Sequence, residues 1–188
     1  MTKTAGSMNV LGIVGSPRRG GNTDTLVEEV LAGAKAVGAQ TEKIILRDFD
    51  IRPCKGCWAC STQDKCIQED DLSTIAEKLI DAQTWVIGTP IYWWGPSAQL
   101  KAFIDRWVSL RKRAFSDKTM ILIIPMGGKS ESYARHTIGM FRDITSYLGI
   151  ILREIILAPG VSEKGEVRQN KQLMEKAFQE GNRIGKSS

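Results

Sequence analysis

The feature that most constrains this chain is a fivefold alternation of short apolar runs with segments of helical periodicity. Asn9 to Val14, Thr41 to Leu46, Thr84 to Thr89, Met120 to Pro125 and Ile150 to Leu157 read as strands. After the first strand, Leu26, Val27, Val30, Leu31 and Ala34 recur at helical spacing, and Leu72, Ile75, Ala76, Leu79 and Ile80 do so before the third. Leu100, Phe103, Ile104, Trp107 and Val108 share a face after the third strand. A helix through about Leu148 follows the fourth, and Leu173, Met174, Ala177 and Phe178 mark the last. Strands with one solvated face alternate polar and apolar residues, whereas strands covered on both faces are continuously apolar. The pattern predicts a doubly wound α/β sandwich around a five-stranded parallel sheet, with helices on both faces.

Such a sheet fits the flavodoxin-like strand order 2-1-3-4-5, in which ligands bind beyond the carboxyl ends of the strands. Capping signals sharpen the helix starts: Asn22 or Thr23 for the first helix, Asp70 or Asp71 for the second, and Pro96 as a favoured first residue of the third. The 188 residues suffice for one domain and are too few for two ordinary ones. We expect a flexible tail over residues 1–8 and a single domain over 9–188, with a cysteine-rich loop at 47–70. No apolar run approaches the roughly 20 residues of a membrane span, and Met1 to Val10 lacks the apolar core of a signal peptide, so a cytoplasmic location is expected.

Lys and Arg number 26 against 21 Asp and Glu, a net charge of +5 that is spread along the chain. Its one concentration, Arg106, Arg111, Lys112 and Arg113, reads as a solvated helix end, and no nucleic-acid partner is expected.

The loops after strands 1, 3 and 4 are the expected site. Gly15 to Thr23 joins Ser16, Arg18, Gly20, Asn22 and Thr23 to a helix start, where free backbone N–H groups, the positive helix end and a guanidinium can converge on a phosphate. It is neither a P-loop nor a dinucleotide fingerprint. The second loop carries Pro90, Ile91, Tyr92, Trp93, Trp94 and Gly95, whose three consecutive aromatics suit a planar ligand or a subunit interface. Gly127 and Gly128 in the third allow close backbone approach.

All four cysteines fall within one stretch as C-x2-C-x2-C-x5-C: Cys54, Cys57, Cys60 and Cys66. Without a secretion signal, this favours metal or redox chemistry over structural disulfides. Four thiolates on one loop can wrap one iron-sulfur cluster, whereas a four-cysteine zinc site more often uses two separated C-x2-C pairs. Free thiols or an interface clasp are the other readings of the loop.

The runs GSPRRGGNT and TPIYWWGPSAQLKAFIDR, with CKGCWAC and the later cysteine, resemble the NAD(P)H-dependent FMN reductases of the flavodoxin-like superfamily. More narrowly, they resemble the branch that includes the iron-sulfur flavoproteins. The resemblance, over about Asn9 to Leu157, implies FMN as a tightly held cofactor and NAD(P)H as electron donor. It implies that Ser16, Arg18, Asn22 and Thr23 hold the FMN phosphate and that Pro90 through Gly95 run along the isoalloxazine, with Ser97 a weaker candidate. It further implies a [4Fe-4S] cluster on Cys54, Cys57, Cys60 and Cys66.

Arg18 and Arg19, with Lys129 and Glu131 nearly cancelling, predict a neutral to positive site, which suits a two-electron flavin reductase. His136 reads as an ordinary helix residue. Two functions follow. One is NAD(P)H-dependent reduction of a small acceptor (a quinone, nitro compound, metal ion or flavin) through FMN. The alternative is an iron-sulfur flavoprotein that carries electrons from a ferredoxin-like donor. A homodimer or homotetramer is expected in either case, because a lone subunit would leave the flavin edge open.

Overall fold

The computed structural model describes residues 8–63, 65–110 and 114–184. In chain order the elements are β1 (Asn9–Val14), α1 (Asn22–Ala36), β2 (Gln40–Ile45), a short α2 (Cys60–Gln63), α3 (Leu72–Asp81), β3 (Thr84–Gly88) and α4 (Ala98–Asp105). They continue with β4 (Thr119–Met126), α5 (Arg135–Leu148), β5 (Ile151–Pro159) and α6 (Lys171–Ile184). The five strands pair in parallel in the order β2-β1-β3-β4-β5, as the sequence predicts.

Alternate residues of each central strand feed two separate cores. Leu11, Ile13, Met120, Leu122 and Ile124 pack with α3, α4 and α5 through Leu79, Phe103 and Phe141. Val10, Val14, Ile121 and Ile123 face α1 and α6 through Val27, Val30 and Ala177. The edge strand β2 departs from the apolar pattern, since Glu42 and Lys43 sit where only one side of the sheet is paired.

Several boundaries differ from expectation. Met8 belongs to the fold rather than to a tail, because the Gln40 N–H donates to its carbonyl at 2.9 Å; residues 1–7 lie outside the described residues. Gly21, not Asn22 or Thr23, precedes the first helical residue of α1, and no side chain caps it. Ser97 rather than Pro96 opens α4, its hydroxyl accepting the Leu100 N–H. The helix then tightens into a 3-10 turn over Arg106–Ser109, which turns Val108 outward to 55% exposure while Trp107 stays buried. The expected solvated basic end is also corrected at Arg106, which is 1% exposed; Arg111, Lys112 and Arg113 lie outside the described residues.

Helices α1 and α6 meet backbone to backbone. A Cβ on Gly33 would lie 2.0 Å from the Phe178 carbonyl oxygen, and one on Gly181 2.0 Å from that of Val30. Both contacts involve backbone, which cannot swing aside as a side chain can. Gly181→Ala is therefore expected to reduce unfolding stability by about 3 kcal/mol, the upper end of ordinary overpacking, read as a lower denaturation midpoint.

Candidate functional site

At the carboxyl ends of the strands, four loops enclose a depression of about 220 Å3. The loop after β1 contributes Ser16, Arg18, Asn22 and Thr23, and the loop after β3 contributes Pro90, Ile91 and Tyr92. Pro125 and Gly127 come from the end of β4. The fourth wall, Val161 to Lys164 after β5, was not foreseen in the sequence; Gly160 and Gly165, both with positive φ, were the available turn signals. A larger, more open hollow of about 450 Å3 lies at Asn9, Gln40 and Asp81, where β1 and β2 begin, away from these loops.

The first and fourth loops are laced together. Asn22 donates from Nδ2 to the Glu163 carbonyl at 2.9 Å and accepts the Val167 N–H at 3.0 Å. Arg18 donates to the Ser162 carbonyl at 3.1 Å. Glu166 accepts the N–H groups of Glu163 and Ser162, which hold its carboxyl below the usual range. Arg19 turns away from the depression to pair with Asp48 at 2.6 Å, so the local positive charge comes from Arg18 and Lys164 instead. At the head of α1, the first N–H groups have no partner within the helix by its geometry, and Ser16, Arg18 and Thr23 stand around them. Helix-start N–H groups with a guanidinium and hydroxyls around them have the chemistry of an anion cradle of the kind that takes a phosphate.

Other candidates fall outside the depression. Gly20 (φ +64°) makes the turn and donates to Asp24 at 2.7 Å. Gly128 leaves room for Tyr133, whose ring would lie 2.4 Å from a Cβ there. Ser97 is fully buried, its hydroxyl donating to the Gly15 carbonyl, so it ties two loops together rather than facing a ligand. Tyr92 and Gly95 exchange two backbone hydrogen bonds, at 3.0 and 3.1 Å, around Trp93 and Trp94. Both tryptophans take positive φ, +50° and +62°, a turn that ordinarily selects Asn or Gly. Trp93 is 91% exposed and forms, with Trp94 and Tyr133, an aromatic lip beside the depression. His136 is exposed on the first turn of α5.

The cysteine loop forms a second candidate site. Cys54, Cys57, Cys60 and Cys66 line one depression of about 100 Å3, with Trp58, Ile67, Arg106 and Val108 around them. The Gly56 N–H approaches Cys54 Sγ at 3.5 Å, and Arg106 Nη2 donates to Cys66 Sγ at 3.2 Å. Among the described residues, no three His, Cys, Asp or Glu side chains gather tightly enough for a single metal ion. Four thiols lining one depression, two of them approached by N–H donors, are a donor set of the type that an iron-sulfur cluster takes.

The loop is closed at its neck by a buried ion pair. Arg106 grips Asp70 with Nη1 at 2.6 Å and Nη2 at 3.2 Å, and the two side chains are 1% and 0% exposed. Arg106 Nη1 also donates to the Arg52 carbonyl at 2.7 Å, while the N–H groups of Arg52 and Leu72 donate to Asp70. Burial pushes the Asp70 carboxyl up, but hydrogen bonds from Arg106 and these two N–H groups, with the charge of Arg106, outweigh it and hold the carboxyl below its usual range. Asp50 and Asp71 join the strands of the neck through the Asp50 N–H to Asp71 Oδ2 at 2.7 Å and the Asp71 N–H to the Asp50 carbonyl at 3.0 Å.

The chain belongs to the NADPH-dependent FMN reductase family, whose model matches residues 8–154. It is 34% identical over 146 residues to an iron-sulfur flavoprotein of Methanosarcina thermophila, covering 77% of this chain and 76% of that protein. It is 30% identical over 178 residues to a Bacillus subtilis protein named as an NAD(P)H-dependent FMN-containing oxidoreductase, covering 90% and 94% of the two chains. The solved structure of the Trp repressor binding protein from Bacillus subtilis matches with a TM-score of 0.70 at 26% identity, over 93% of this chain and 98% of that one. Family and relatives together make this chain an FMN-dependent NAD(P)H oxidoreductase. Among the described residues, no helix is long and apolar enough to cross a membrane.

Two predictions follow from these sites. Arg18→Ala removes a charge-assisted contact and is expected to weaken FMN binding by about 1.5–3 kcal/mol, measured by fluorescence titration of the flavin-free protein. Asp70→Asn breaks a buried pair and is expected to cost about 3–5 kcal/mol at neutral pH. Because the native carboxyl titrates below its unfolded value of about 3.9, that contribution is complete above this pH and fades as pH falls through the lower native value. Denaturation of wild type and variant from pH 7 to pH 3 should show the stability gap narrowing on the acid side.

Proposed function

We propose that this chain is an iron-sulfur flavoprotein: an FMN-dependent oxidoreductase whose Cys54, Cys57, Cys60 and Cys66 hold a [4Fe-4S] cluster. The observation that carries this reading is the convergence of all four cysteines on one depression, with N–H donors aimed at two of the sulfurs. Such donors are what a charged, sulfur-rich group needs from its surroundings. The name of the Methanosarcina relative supports the same reading.

In this account Ser16, Arg18, Asn22 and Thr23 bind the FMN phosphate at the head of α1, and Pro90, Ile91, Tyr92 and Gly127 line its path. Trp93, Trp94 and Gly95 shape the turn at the flavin's edge and, with Tyr133, shield it from water. When bound, FMN supplies hydride chemistry with NAD(P)H, and the cluster supplies transfer of the two electrons one at a time. No side-chain acid or base is required, in keeping with an exposed His136 outside the depression. The electron partner is a ferredoxin-like donor or another one-electron carrier. The exposed lip around Trp93 suits contact with a second copy of the chain, giving a homodimer or homotetramer.

A second reading has a specific observation behind it. The depression opens beside an aromatic lip, which suits a planar acceptor stacking on the flavin and reduced directly by the electron pair, as in NAD(P)H-dependent reduction of a quinone, nitro compound, metal ion or free flavin. The test is an anaerobic preparation on which absorbance, FMN, iron, acid-labile sulfide and zinc are measured together. Near one FMN, four iron and four sulfide per chain, with broad absorbance near 400 nm, is the expected result. FMN without iron, from cells given ample iron, would overturn the cluster and leave the small-acceptor reductase.

A further inference from the structure

We propose that Arg106 is a positioning residue that sets the reduction potential of the cysteine-loop cluster by donating N–H bonds to its sulfurs, held in place by the buried Asp70 carboxylate; this rests on the cluster reading above.

Three observations lead there. Arg106 lines the same depression as the four cysteines and already donates from Nη2 to Cys66 Sγ at 3.2 Å. Its Nε is buried and has no partner among the described residues. A guanidinium has five N–H donors in a rigid plane and accounts for them wherever it is buried. Here Asp70 takes Nη1 and Nη2 from one side and the Arg52 carbonyl takes Nη1 again, which fixes the plane and leaves one buried donor without an acceptor. A sulfur of a bound cluster is an acceptor of the required kind.

The third observation is the low exposure of the pair, 1% for Arg106 and 0% for Asp70. Water screens a charge at this depth weakly, so the N–H bond from the guanidinium acts on the half-buried Cys66 sulfur with less attenuation than a surface donor would, whereas Cys54 and Cys57 are exposed. Reduction adds one electron, and hence negative charge, to the cluster. Donors to the sulfurs stabilise that added charge and raise the potential. Asp70 offsets the distant part of the arginine's charge while leaving the donated bonds, so the effect is local and directional rather than a general positive field. Lysine in this place keeps a charge but lacks the planar fork that holds Asp70, the Arg52 carbonyl and a sulfur together.

The test is the one-electron potential of the cluster, by anaerobic spectroelectrochemistry, in wild type, Arg106→Lys and Arg106→Gln, with FMN and iron quantified on each. The expected result is a lower potential in both variants with FMN retained, by at least a tenfold shift in the one-electron equilibrium, about 59 mV, and larger for Gln than for Lys. Should the Gln variant fail to fold, the Lys variant alone decides. A loaded variant at the wild-type potential would overturn the inference and leave the cluster reading intact. Iron lost from both variants with FMN retained would show anchoring alone and overturn the tuning. A wild-type protein without iron would overturn the cluster reading itself, and the inference with it.

Discussion

The buried pair of Arg106 and Asp70 is the contact on which the arrangement of the second site depends. The loop between β2 and α3 is long and nearly free of regular structure, so closing it has an entropic cost that only contacts at its neck can offset. The apolar ones are Phe49 and Ile51, packed against the core, and the polar ones are the bidentate pair, the Arg52 carbonyl, and the reciprocal bonds between Asp50 and Asp71. Burying two charges is expensive, and the cost is met only when each remaining lone pair and proton finds a partner. Asp70 meets that condition with four donated bonds, counting Arg52 and Leu72 with the two from Arg106. Arg106 does not fully meet it: its Nε is buried without a partner among the described residues, while its Nη2 donates to Cys66 Sγ.

Helix α4 ties this neck to the first site. Its opening residue, Ser97, is fully buried and bonds to the Gly15 carbonyl at the base of the phosphate-type loop. Its far end runs directly into Arg106. Eight residues at about 1.5 Å each make a strut of roughly 12 Å, anchored at one end among the loops of the first depression and at the other beside the thiols. Leu100 and Phe103 are wholly buried against the sheet, so the strut cannot slide without breaking the core. The spacing of the two candidate sites is thus set by the same packing that makes the fold stable. The α1–α6 contact through Gly33 and Gly181 plays a comparable part on the opposite face, holding the helix whose amino end forms the anion cradle.

How much of this was legible in the sequence varied with the kind of interaction. Apolar periodicity reports burial directly, so the five strands and their order were readable, as were the loops after β1, β3 and β4. Polar residues carry no such signal, because a solvated arginine and a buried one look alike in a sequence. Arg106 read as a solvated helix end, although its position three residues after Phe103 places it on the inward face. Ser97, only a weaker candidate that the resemblance implies, is a buried tie between loops. Val161 to Lys164 escaped notice because a wall made by backbone and short side chains has no motif. The three consecutive aromatics are unburied in part, as neither helical nor strand periodicity can bury them all, yet nothing in a Tyr-Trp-Trp-Gly string announces two left-handed tryptophans in a tight turn.

The central claim is that the four cysteines hold one iron-sulfur cluster against Arg106. The most direct test is anomalous scattering at the iron edge from crystals grown and frozen without oxygen. The account predicts one compact group of four iron sites per chain, enclosed by Cys54, Cys57, Cys60 and Cys66, with Arg106 beside it. Iron absent from that position, or a zinc edge in its place, would contradict it.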